Sequence, residues 1–325
     1  MNKKVLVTGA CGFIGSHLTE LLVQKGFKVK AMVHYNSKGN RGWLENNPTS
    51  KEIEFVNGDI SDFDFVNKSI KDCNSVFHLA ALIGIPYSYI SPKAYIRTNI
   101  EGTYNILESC KAHDIENVLI TSTSETYGSA QYTPIDEKHP LVGQSPYSAS
   151  KIAADQLAIS YHRSFELPVK IVRPFNTYGP RQSARAIIPT IFTQLISNEN
   201  KLSLGNLDPK RDFTYVEDTV NGFLEIYKST ILYGQVTNIG TKESISMKEL
   251  LYKIYKISGK EIPFELNNLR MRPERSEVNH LLCDNSKIKS NTKWKQKTNL
   301  DDGLTKTYNW LKNNIDLYRS DIYNV

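Results

Sequence analysis

Short apolar runs alternate with segments of helical periodicity along the first half of the chain. The helical pattern is clearest over residues 99–110 and 147–161, where apolar positions recur on one face. Strands and helices that alternate in this way predict an α/β fold built on a doubly wound parallel sheet. The apolar runs that we assign to its strands are residues 5–8, 29–33, 53–56, 75–80, 117–121 and 169–174.

The second half of the chain has a different texture. After Arg173, proline and glycine residues break it into short pieces, with no internal repeat and no low-complexity linker. At 325 residues the chain exceeds a typical single domain. We therefore expect a large α/β domain over residues 1–175, to which a later segment at about 212–240 returns, and a smaller C-terminal lobe built mainly from residues 176–325.

A glycine-rich turn, GACGFIG, lies between the first predicted strand and a helical pattern. Glycines in such a turn let the backbone approach a pyrophosphate, which the N–H groups and the positive dipole end of the helix then bind. The alternative is a glycine-rich turn that binds no ligand. The position of the turn between a strand and a helix disfavours this alternative. The first domain is thus predicted to be a Rossmann-type dinucleotide-binding domain, with a phosphate cradle made by Gly9, Gly12, Phe13, Ile14 and Gly15.

The end of the second predicted strand bears on which dinucleotide binds. An acidic residue usually stands there to bind the adenine ribose, whereas here Val33 is followed by the sequence HYNS. No carboxylate in this loop repels a 2′-phosphate, and Lys38 and Arg41 are close in sequence. The loop therefore favours NADP. The alternative is that these residues are solvated and that either cofactor binds.

Two further motifs carry candidate chemistry. Tyr147 and Lys151 stand four residues apart in SPYSASK, which places them on one face of a helix. A nearby ammonium, with the positive nicotinamide ring, favours the phenolate, so Tyr147 is a candidate base for an alcohol that loses hydride. Thr123, Ser124 and Glu125 follow the fifth predicted strand, where side chains face the ligand crevice. A turn cap with a solvated Glu125 is the alternative.

These motifs, in this order, resemble the extended short-chain dehydrogenase/reductases, and in particular the nucleotide-sugar 4,6-dehydratases, over nearly the whole chain. The resemblance also rests on the sequences GDI, HLAA, TNIEGT, RPFNTYGPRQ, RDFTYVED and RPERSEV. It implies a tightly held NAD(P) cofactor and a nucleotide-diphosphate sugar as substrate. The residues that it adds to the cofactor site are His34, Asn36, Ser37, Asp59, Ile60, Leu79, Ala80, Ala81, Asn99, Tyr147 and Lys151.

The same resemblance indicates a substrate. Residues 122–141, 144–155 and 181–191 are most similar to the dehydratases of legionaminic acid biosynthesis, which act on GDP-N-acetylglucosamine. The guanidinium groups in the second half suit a diphosphate. The residues that the resemblance assigns to substrate binding are Asn176, Arg185, Arg211, Arg272 and Glu274.

The resemblance implies a mechanism for Thr123, Glu125 and Tyr147. Tyr147 takes the C4 hydroxyl proton as hydride leaves C4, and Thr123 hydrogen-bonds the forming ketone. Glu125 then removes the C5 proton, water leaves from C6, and the hydride returns to C6 as C5 is reprotonated. Ser124 stands where many dehydratases carry Asp, so the acid for the leaving hydroxyl is either Glu125 or a water held by Ser124.

Three alternatives share parts of this pattern. UDP-glucuronate decarboxylases also carry a Thr-Ser-Glu triplet and pass through a 4-keto sugar, but they release carbon dioxide. Nucleotide-sugar 4-epimerases usually have no carboxylate at the position of Glu125. A dinucleotide sensor without catalysis would not need the intact Thr123, Tyr147 and Lys151.

Composition limits the partners. The net charge of +6 is spread along the chain, so we expect no nucleic acid, and no apolar run is long enough to span a bilayer. No histidine stands at metal-ligand spacing, so we predict no metal. The cysteines occur in no CxxC pair and are expected to be reduced thiols of a cytoplasmic protein, namely Cys11, Cys73, Cys110 and Cys283.

The resemblance finally implies a homodimer or a higher homo-oligomer. Members of the family pair through the two helices predicted at residues 99–110 and 147–161. The apolar positions that would serve this interface, or else the internal core, are Ile152, Ala153, Leu157 and Ala158. The last stretch, residues 310–325, is interpreted as a helix and a tail.

Overall fold

The computed structural model describes residues 3–318. The strands in this range are β1 (Lys4–Thr8), β2 (Lys28–Val33), β3 (Ile53–Asn57), β4 (Ser75–His78), β5 (Asn117–Thr121), β6 (Val169–Pro174), β7 (Asn176–Tyr178), β8 (Leu202–Leu204), β9 (Lys210–Arg211), β10 (Phe213–Tyr215), β11 (Val236–Ile239), β12 (Ile245–Ser246) and β13 (Phe264–Leu266). The α-helices are α1 (Phe13–Gln24), α2 (Phe63–Ile70), α3 (Ile85–Ile90), α4 (Pro92–Tyr95), α5 (Gly102–Ala112), α6 (Pro146–Phe165), α7 (Ile187–Ile196), α8 (Val216–Lys228), α9 (Met247–Ser258), α10 (Ser286–Asn291) and α11 (Leu300–Asn313). Short 3-10 helices lie at Gly42–Leu44, Pro48–Glu52, Ser124–Tyr127, Asn268–Arg270, Glu274–Ser276 and Ile315–Leu317.

The central sheet has seven parallel strands in the order β11-β6-β5-β4-β1-β2-β3. The chain winds from β1 outward to β3, returns to β4 and continues to β11. The predicted doubly wound parallel sheet is therefore confirmed. Its topological switch point lies between β1 and β4, and in open α/β sheets ligands bind at the carboxyl ends of the strands beside this point.

Two predicted elements differ in detail from the observed ones. The helix expected at residues 99–110 is a π-helical segment, Ile96–Glu101, followed by α5. The strand expected at 75–80 ends at His78, because the N–H groups of the next residues turn to the Thr8 side chain. At the other end of the chain, the helix expected from residue 310 belongs to the longer α11, and residues 319–325 lie outside the described residues.

The alternation of side chains along β1 builds an apolar core on each face of the sheet. Val5 and Val7 pack in one cluster with Leu18 of α1, whereas Leu6 packs on the other face with Ile106 of α5. Both faces of a parallel sheet are covered by helices, which explains why its strands read as continuous apolar runs. The order of these strands in turn fixes which loops meet at their carboxyl ends.

In the half of the chain where we expect the smaller lobe, the described strands outside the central sheet form three two-stranded sheets, β7 with β10, β9 with β12 and β8 with β13, and the helices include α7, α9 and α11. The core cluster of α1 continues into this lobe through Phe192 of α7, Ile254 of α9 and Leu304 of α11. Residues 216–228 and 236–239, which form α8 and β11, pack with the large sheet. The two-lobe boundaries that we expect from the sequence stay a prediction.

Helix α6 begins with a capping box. The Ser145 hydroxyl accepts a hydrogen bond from the Ser148 N–H at 3.1 Å, and the Ser148 hydroxyl accepts one from the Ser145 N–H at 3.0 Å. Pro146 occupies the first helical position, where its missing N–H leaves no gap in the helix. This start fixes the first turn of α6, so Tyr147 and Lys151 follow each other on one face.

No helix within residues 3–318 is long and apolar enough to cross a membrane. All four cysteines are free thiols. Burial raises the pKa of Cys110 and Cys283 well above the ordinary value, so these two thiols are protonated at neutral pH. In the same described range, no group of three or more His, Cys, Asp or Glu side chains is placed to hold a metal ion.

Candidate active site

The glycine-rich turn between β1 and α1 is shaped by close backbone contacts. Gly9 has a φ of +66°, and a Cβ on it would lie 2.8 Å from the backbone nitrogen of Ala80. A Cβ on Gly15 would lie 2.0 Å from the Gly9 carbonyl oxygen. No side chain caps the first turn of α1, which starts with Phe13 and Ile14 and contains no acidic residue. The N–H groups and the positive end of this helix therefore suit a pyrophosphate.

Gly15→Ala should abolish dinucleotide binding, because the added Cβ would push the Gly9 carbonyl and the whole turn out of place. We expect the affinity for NAD and NADP to fall by about a hundredfold or more, measured by titration calorimetry. Gly12→Ala is the graded comparison, since its Cβ would lie 3.3 Å from the same oxygen. Equal losses in both variants would contradict the steric explanation.

The chain that leaves β4 lies against this turn. Thr8 Oγ1 accepts hydrogen bonds from the N–H groups of Leu79 and Ala80, each at 3.1 Å, and lies 2.8 Å from His78 Nδ1. Burial and the charge of Lys151 lower the pKa of His78 to about 3, so this imidazole is neutral. Residues 79–81 are thereby held along the crevice at the switch point, where the sequence places part of the cofactor site.

Asn99 connects this segment to α6. Its amide nitrogen donates to the Leu82 carbonyl and to Ser150 Oγ, both at 2.9 Å, and its oxygen accepts from the Leu82 N–H at 2.8 Å. The residue is 1% exposed. Asn99 therefore positions the backbone beside the cofactor crevice in this structure, because its amide is already engaged within the protein.

The predicted cofactor residue Asp59 brings a carboxylate to the loop after β2. Asp59, which follows β3, lies with Oδ2 3.4 Å from His34 Nε2, and its Oδ1 accepts two bonds of 2.8 Å from Ser61. Burial opposes its charge, but the Ser61 bonds and nearby cations hold the pKa of Asp59 below its ordinary value. The next residue, Ile60, packs against Gly102 of α5. The loop after β2, which is predicted to contact the adenine ribose, thus has an anion beside it that Ser61 holds in place.

The predicted loop residues beyond His34 are not brought into this group. The Asn36 amide donates within its own loop, to the carbonyl oxygens of His34 and Asn40 at 3.3 and 2.8 Å. Ser37 is exposed. The Arg41 guanidinium lies 4.2 Å from the centroid of the Phe55 ring. Any contact of these side chains with a ribose or a phosphate therefore stays a prediction.

Tyr147 is packed in an apolar wall. Its side chain is 7% exposed, and its ring meets Tyr95 edge to face at 6.2 Å, in a cluster with Leu82 and Ile85. Burial raises the pKa of the phenol above its ordinary value. A hydrogen bond with Thr123 opposes this rise, and the charge of a nearby carboxylate adds to it. The shift toward phenolate expected from Lys151 is thus reversed here, because the apolar surroundings dominate.

Lys151 lies one turn further along α6 and is 4% exposed. Its ammonium donates to the Thr121 carbonyl oxygen at the end of β5, at 2.6 Å. Burial lowers the pKa of Lys151, and the negative charge of Asp155 opposes that effect. The sheet and α6 thus hold the ammonium in one place, on the helix face that also carries Tyr147.

The triplet after β5 combines a turn cap with a charged contact. Thr123 Oγ1 accepts from the Glu125 N–H at 3.3 Å and caps the 3-10 helix, and Ser124 is 2% exposed. Both carboxylate oxygens of Glu125 face Arg272 Nη1, at 3.5 and 3.3 Å. The turn cap that we considered as an alternative role for this triplet is therefore present. The expectation of a solvated Glu125 is wrong, because this side chain is 11% exposed and is paired with Arg272.

Arg272 belongs to a chain of four charges that the sequence predicts only in part. Glu277 Oε1 lies 3.8 Å from Arg272 Nη1 and 3.2 Å from Arg211 Nη2. The predicted residue Glu274 is instead exposed at the start of a short 3-10 helix. The carboxylate that supports the two arginines is Glu277, because the turn at residues 274–276 directs the chain back toward them.

Two further predicted substrate residues are Asn176 and Arg185. The amide nitrogen of Asn176 is buried and has no hydrogen-bond partner within the described residues. Arg185 is exposed and donates through Nε to Ser183 Oγ at 3.3 Å. Its Nη1 lies near Gly84, whose carbonyl oxygen accepts from the Tyr95 hydroxyl. Arg185 and Tyr95 thus both lie beside Gly84, and Tyr95 in turn packs against Tyr147, a proximity that the sequence does not reveal.

A buried ion pair lies behind the triplet. Arg173 Nη2 is 2.7 Å from Asp155 Oδ2, and both side chains are at most 1% exposed. Ser122 Oγ donates to the same carboxylate oxygen at 2.5 Å and accepts from Arg173 Nε at 3.2 Å. The Arg173 guanidinium also stacks 4.5 Å from the Tyr127 ring. This network holds the end of β5, β6 and α6 together at Ser122, the residue before Thr123.

Comparison with known proteins agrees with this arrangement. A family model described as GDP-mannose 4,6 dehydratase matches residues 6–307. The chain belongs to this family. Its fold is that of the extended short-chain dehydrogenase/reductases, and the relatives found include both dehydratases and epimerases that act on nucleotide sugars.

Three members show how closely the family resembles the chain. A putative UDP-glucose 4-epimerase from Methanocaldococcus jannaschii is 32% identical over 95% of this chain and 99% of its own length. The structure of UDP-glucuronic acid 4-epimerase from Bacillus cereus with UDP-glucuronic acid and NAD is 30% identical, with a TM-score of 0.86 over 97% of this chain and 100% of that one. The structure of DesIV, a dTDP-glucose 4,6-dehydratase from Streptomyces venezuelae with NAD bound, is 26% identical, with a TM-score of 0.88 over 97% and 99%.

Proposed function

We propose that the protein is a nucleotide-sugar 4,6-dehydratase that converts an NDP-N-acetylglucosamine, with GDP favoured as the nucleotide, into the 4-keto-6-deoxy sugar. The observation that carries the proposal is Glu125. Its carboxylate lies at the carboxyl end of β5, and its charge acts on the Tyr147 phenol. Dehydration needs such a second acid/base group beside the tyrosine, whereas oxidation at C4 alone does not.

The chain's own residues divide the work. Tyr147 accepts the C4 hydroxyl proton, and Thr123, which hydrogen-bonds the phenol, steadies the oxygen that becomes the ketone. Glu125 removes the C5 proton, which that ketone has made acidic. NAD(P), when bound, supplies a reversible hydride acceptor. The apolar wall of Leu82, Ile85 and Tyr95 excludes water from the phenol.

Thr123→Val should lower turnover at neutral pH by about tenfold and move the rising limb of the pH–rate profile to higher pH. The reason is that the Thr123 hydrogen bond opposes the raised pKa of Tyr147. A base acts in its deprotonated form, so a further rise in that pKa demands a higher pH. Thr123→Ser keeps the hydroxyl and should keep the profile. An unshifted limb in the valine variant would mean that Tyr147 is not the titrating base.

The cofactor is NAD(P) in this proposal, held by the glycine turn and the segment after β4. Lys38 and Arg41 favour NADP through their charge. Asp59, fixed 3.4 Å from His34, and the NAD in the two related structures favour NAD. The mass of the dinucleotide released when the purified protein is denatured distinguishes NAD from NADP. A dinucleotide that is released although none was added would support tight retention of the cofactor.

A 4-epimerase is the second candidate, because the relatives from M. jannaschii and B. cereus carry that description. Epimerisation would use Tyr147 and Thr123 but leave Glu125 without a chemical role. A UDP-glucuronate decarboxylase, the remaining alternative, would keep the 4-keto step and release carbon dioxide.

Mass spectrometry of three substrates tests the proposal. GDP-N-acetylglucosamine, UDP-N-acetylglucosamine and UDP-glucuronate are each incubated with the purified protein and no added reductant. Loss of water from the GDP sugar is the expected result. Loss of carbon dioxide from the glucuronate would show decarboxylation, and a new isomer of unchanged mass would show epimerisation. Either of these without water loss would overturn the dehydratase proposal.

We also propose a homodimer that pairs through α5 and α6. Tyr104 of α5 is 44% exposed and Phe165 of α6 is 53% exposed. Of the predicted interface positions, Ala158 is buried in the internal core and Leu157 packs beside it, whereas Ile152 and Ala153 remain half-buried. Light scattering after size exclusion should give twice the chain mass, and a monomer mass would contradict the pairing.

A further inference from the structure

Glu125 is held by a residue to which the substrate diphosphate is also assigned. Arg272 Nη1 faces both oxygens of Glu125, at 3.5 and 3.3 Å, and lies 3.8 Å from Glu277 Oε1. Glu277 in turn contacts Arg211 at 3.2 Å. Three acceptor oxygens therefore share one guanidinium nitrogen, which has two hydrogens to donate. None of these contacts to Arg272 is short, so none is a strong charge-assisted bond.

The four side chains form a closed set of charges. Two guanidinium groups face two carboxylates, and their exposed fractions are 25% for Arg272, 11% for Glu125, 15% for Glu277 and 9% for Arg211. A diphosphate that enters brings further negative charge and strong acceptor oxygens. It then competes with the two carboxylates for the same guanidinium hydrogens.

We propose that Arg272 is a positioning residue which exchanges partners, holding Glu125 until the nucleotide diphosphate takes the guanidinium and thereby releases the carboxylate toward the sugar. The exchange rests on the proposed function in one respect: it requires a ligand that contains a nucleotide diphosphate. It applies equally to a dehydratase and to another enzyme of the family. Arg211 does not take part in the same way, because it pairs with Glu277 and not with Glu125.

The exchange has a physical consequence for catalysis. While Glu125 is paired with Arg272, one guanidinium nitrogen faces both carboxylate oxygens and holds the carboxylate on the side of Arg272. Once the diphosphate holds the guanidinium, Glu125 is available to a C–H proton of the attached sugar. The base therefore becomes available when the nucleotide part of the substrate is bound, and a sugar without its diphosphate leaves the ion pair closed.

A titration without any sugar tests the exchange. GDP, UDP and dTDP are titrated calorimetrically into the purified protein, the Glu125→Gln variant, the Arg272→Met variant and the double variant. If Glu125 competes for Arg272, Glu125→Gln should bind the preferred nucleotide about three- to tenfold more tightly than the unaltered protein. In the Arg272→Met background the same Glu125 change should bring no gain, since the guanidinium for which it competes is gone.

The other outcomes are equally decisive. Unchanged or weaker binding by Glu125→Gln overturns the exchange, as does a gain that persists in the Arg272→Met background, which would be a general charge effect. No binding of any of the three nucleotides to the unaltered protein also overturns it. Glu125→Asp, with its carboxylate one methylene further back, should give a smaller gain and provides the test if the glutamine variant does not fold. Turnover of sugar nucleotides is measured separately, so a failure of the dehydratase proposal remains distinguishable.

Discussion

Glu125→Gln should stop the loss of water from the sugar nucleotide, with turnover reduced by about 10²- to 10⁴-fold. Glutamine keeps the size and the polarity of the side chain but cannot accept the C5 proton. The ion pair with Arg272 is lost, but the amide oxygen can still accept from Arg272, and the backbone N–H of residue 125 keeps its bond to Thr123, so the nucleotide site stays formed. Mass spectrometry of the product and calorimetry of the nucleotide separate the chemical defect from the binding.

A matched control distinguishes a lost base from a lost ion pair. Glu20 on α1 is also half-buried and paired with an arginine, since its carboxylate lies 2.5 Å from Arg181 Nη1. Glu20→Gln removes an ion pair of similar exposure away from the triplet and should leave turnover within about threefold. If Glu125→Gln keeps turnover and yields an isomer of unchanged mass, the protein works as an epimerase and the base assigned to Glu125 is wrong.

The parts of the site that the sequence predicts are those set by local spacing. The i, i+4 spacing of Tyr147 and Lys151 puts both on one helix face, whatever the rest of the chain does. Gly15 is required by contacts within the turn itself, with the backbone of Gly9 and Ala10, whereas the close contact of Gly9 with Ala80 appears only in the fold. The parallel sheet follows in the same way, because each strand and helix carries its own periodicity.

The parts that the sequence does not predict depend on contacts distant along the chain. Glu274 and Glu277 are three residues apart and chemically alike, and only the course of the chain toward Arg211 shows that Glu277 makes the contact. Likewise, Asp59 reaches His34 from a different strand. Ion pairs of this kind leave no periodic signal, since one carboxylate in the sequence looks like another.

The raised pKa of Tyr147 shows a further limit of prediction from the sequence. Sequence spacing gives the charge on its own helix, which favours the phenolate, but not the desolvation that comes from Leu82, Ile85 and Tyr95. Those apolar side chains lie on the segment between β4 and the π-helical turn. The net direction of a pKa depends on the balance of burial and charge, and burial is a property of the folded chain.

Arg173→Met should destabilise the fold by about 3–5 kcal/mol, because it leaves the Asp155 carboxylate buried without its cation. Within residues 3–318, Asp155 Oδ1 has no hydrogen-bond partner, so Ser122 would remain as the one hydrogen-bond donor to the carboxylate. We expect the midpoint of thermal unfolding to fall by roughly 4–7 °C. Circular dichroism measures this midpoint, and denaturant titration gives the free energy of unfolding.

Two controls show that burial is the cause. Lys253 and Asp301 form an ion pair at the same separation, 2.7 Å, but with 40% and 64% of the side chains exposed. Lys253→Met should therefore cost less than about 1 kcal/mol. Adding Asp155→Leu to Arg173→Met removes the stranded charge and should restore most of the lost stability. If the double variant is no more stable than Arg173→Met, lost packing on the Tyr127 ring, and not the unpaired carboxylate, limits the fold.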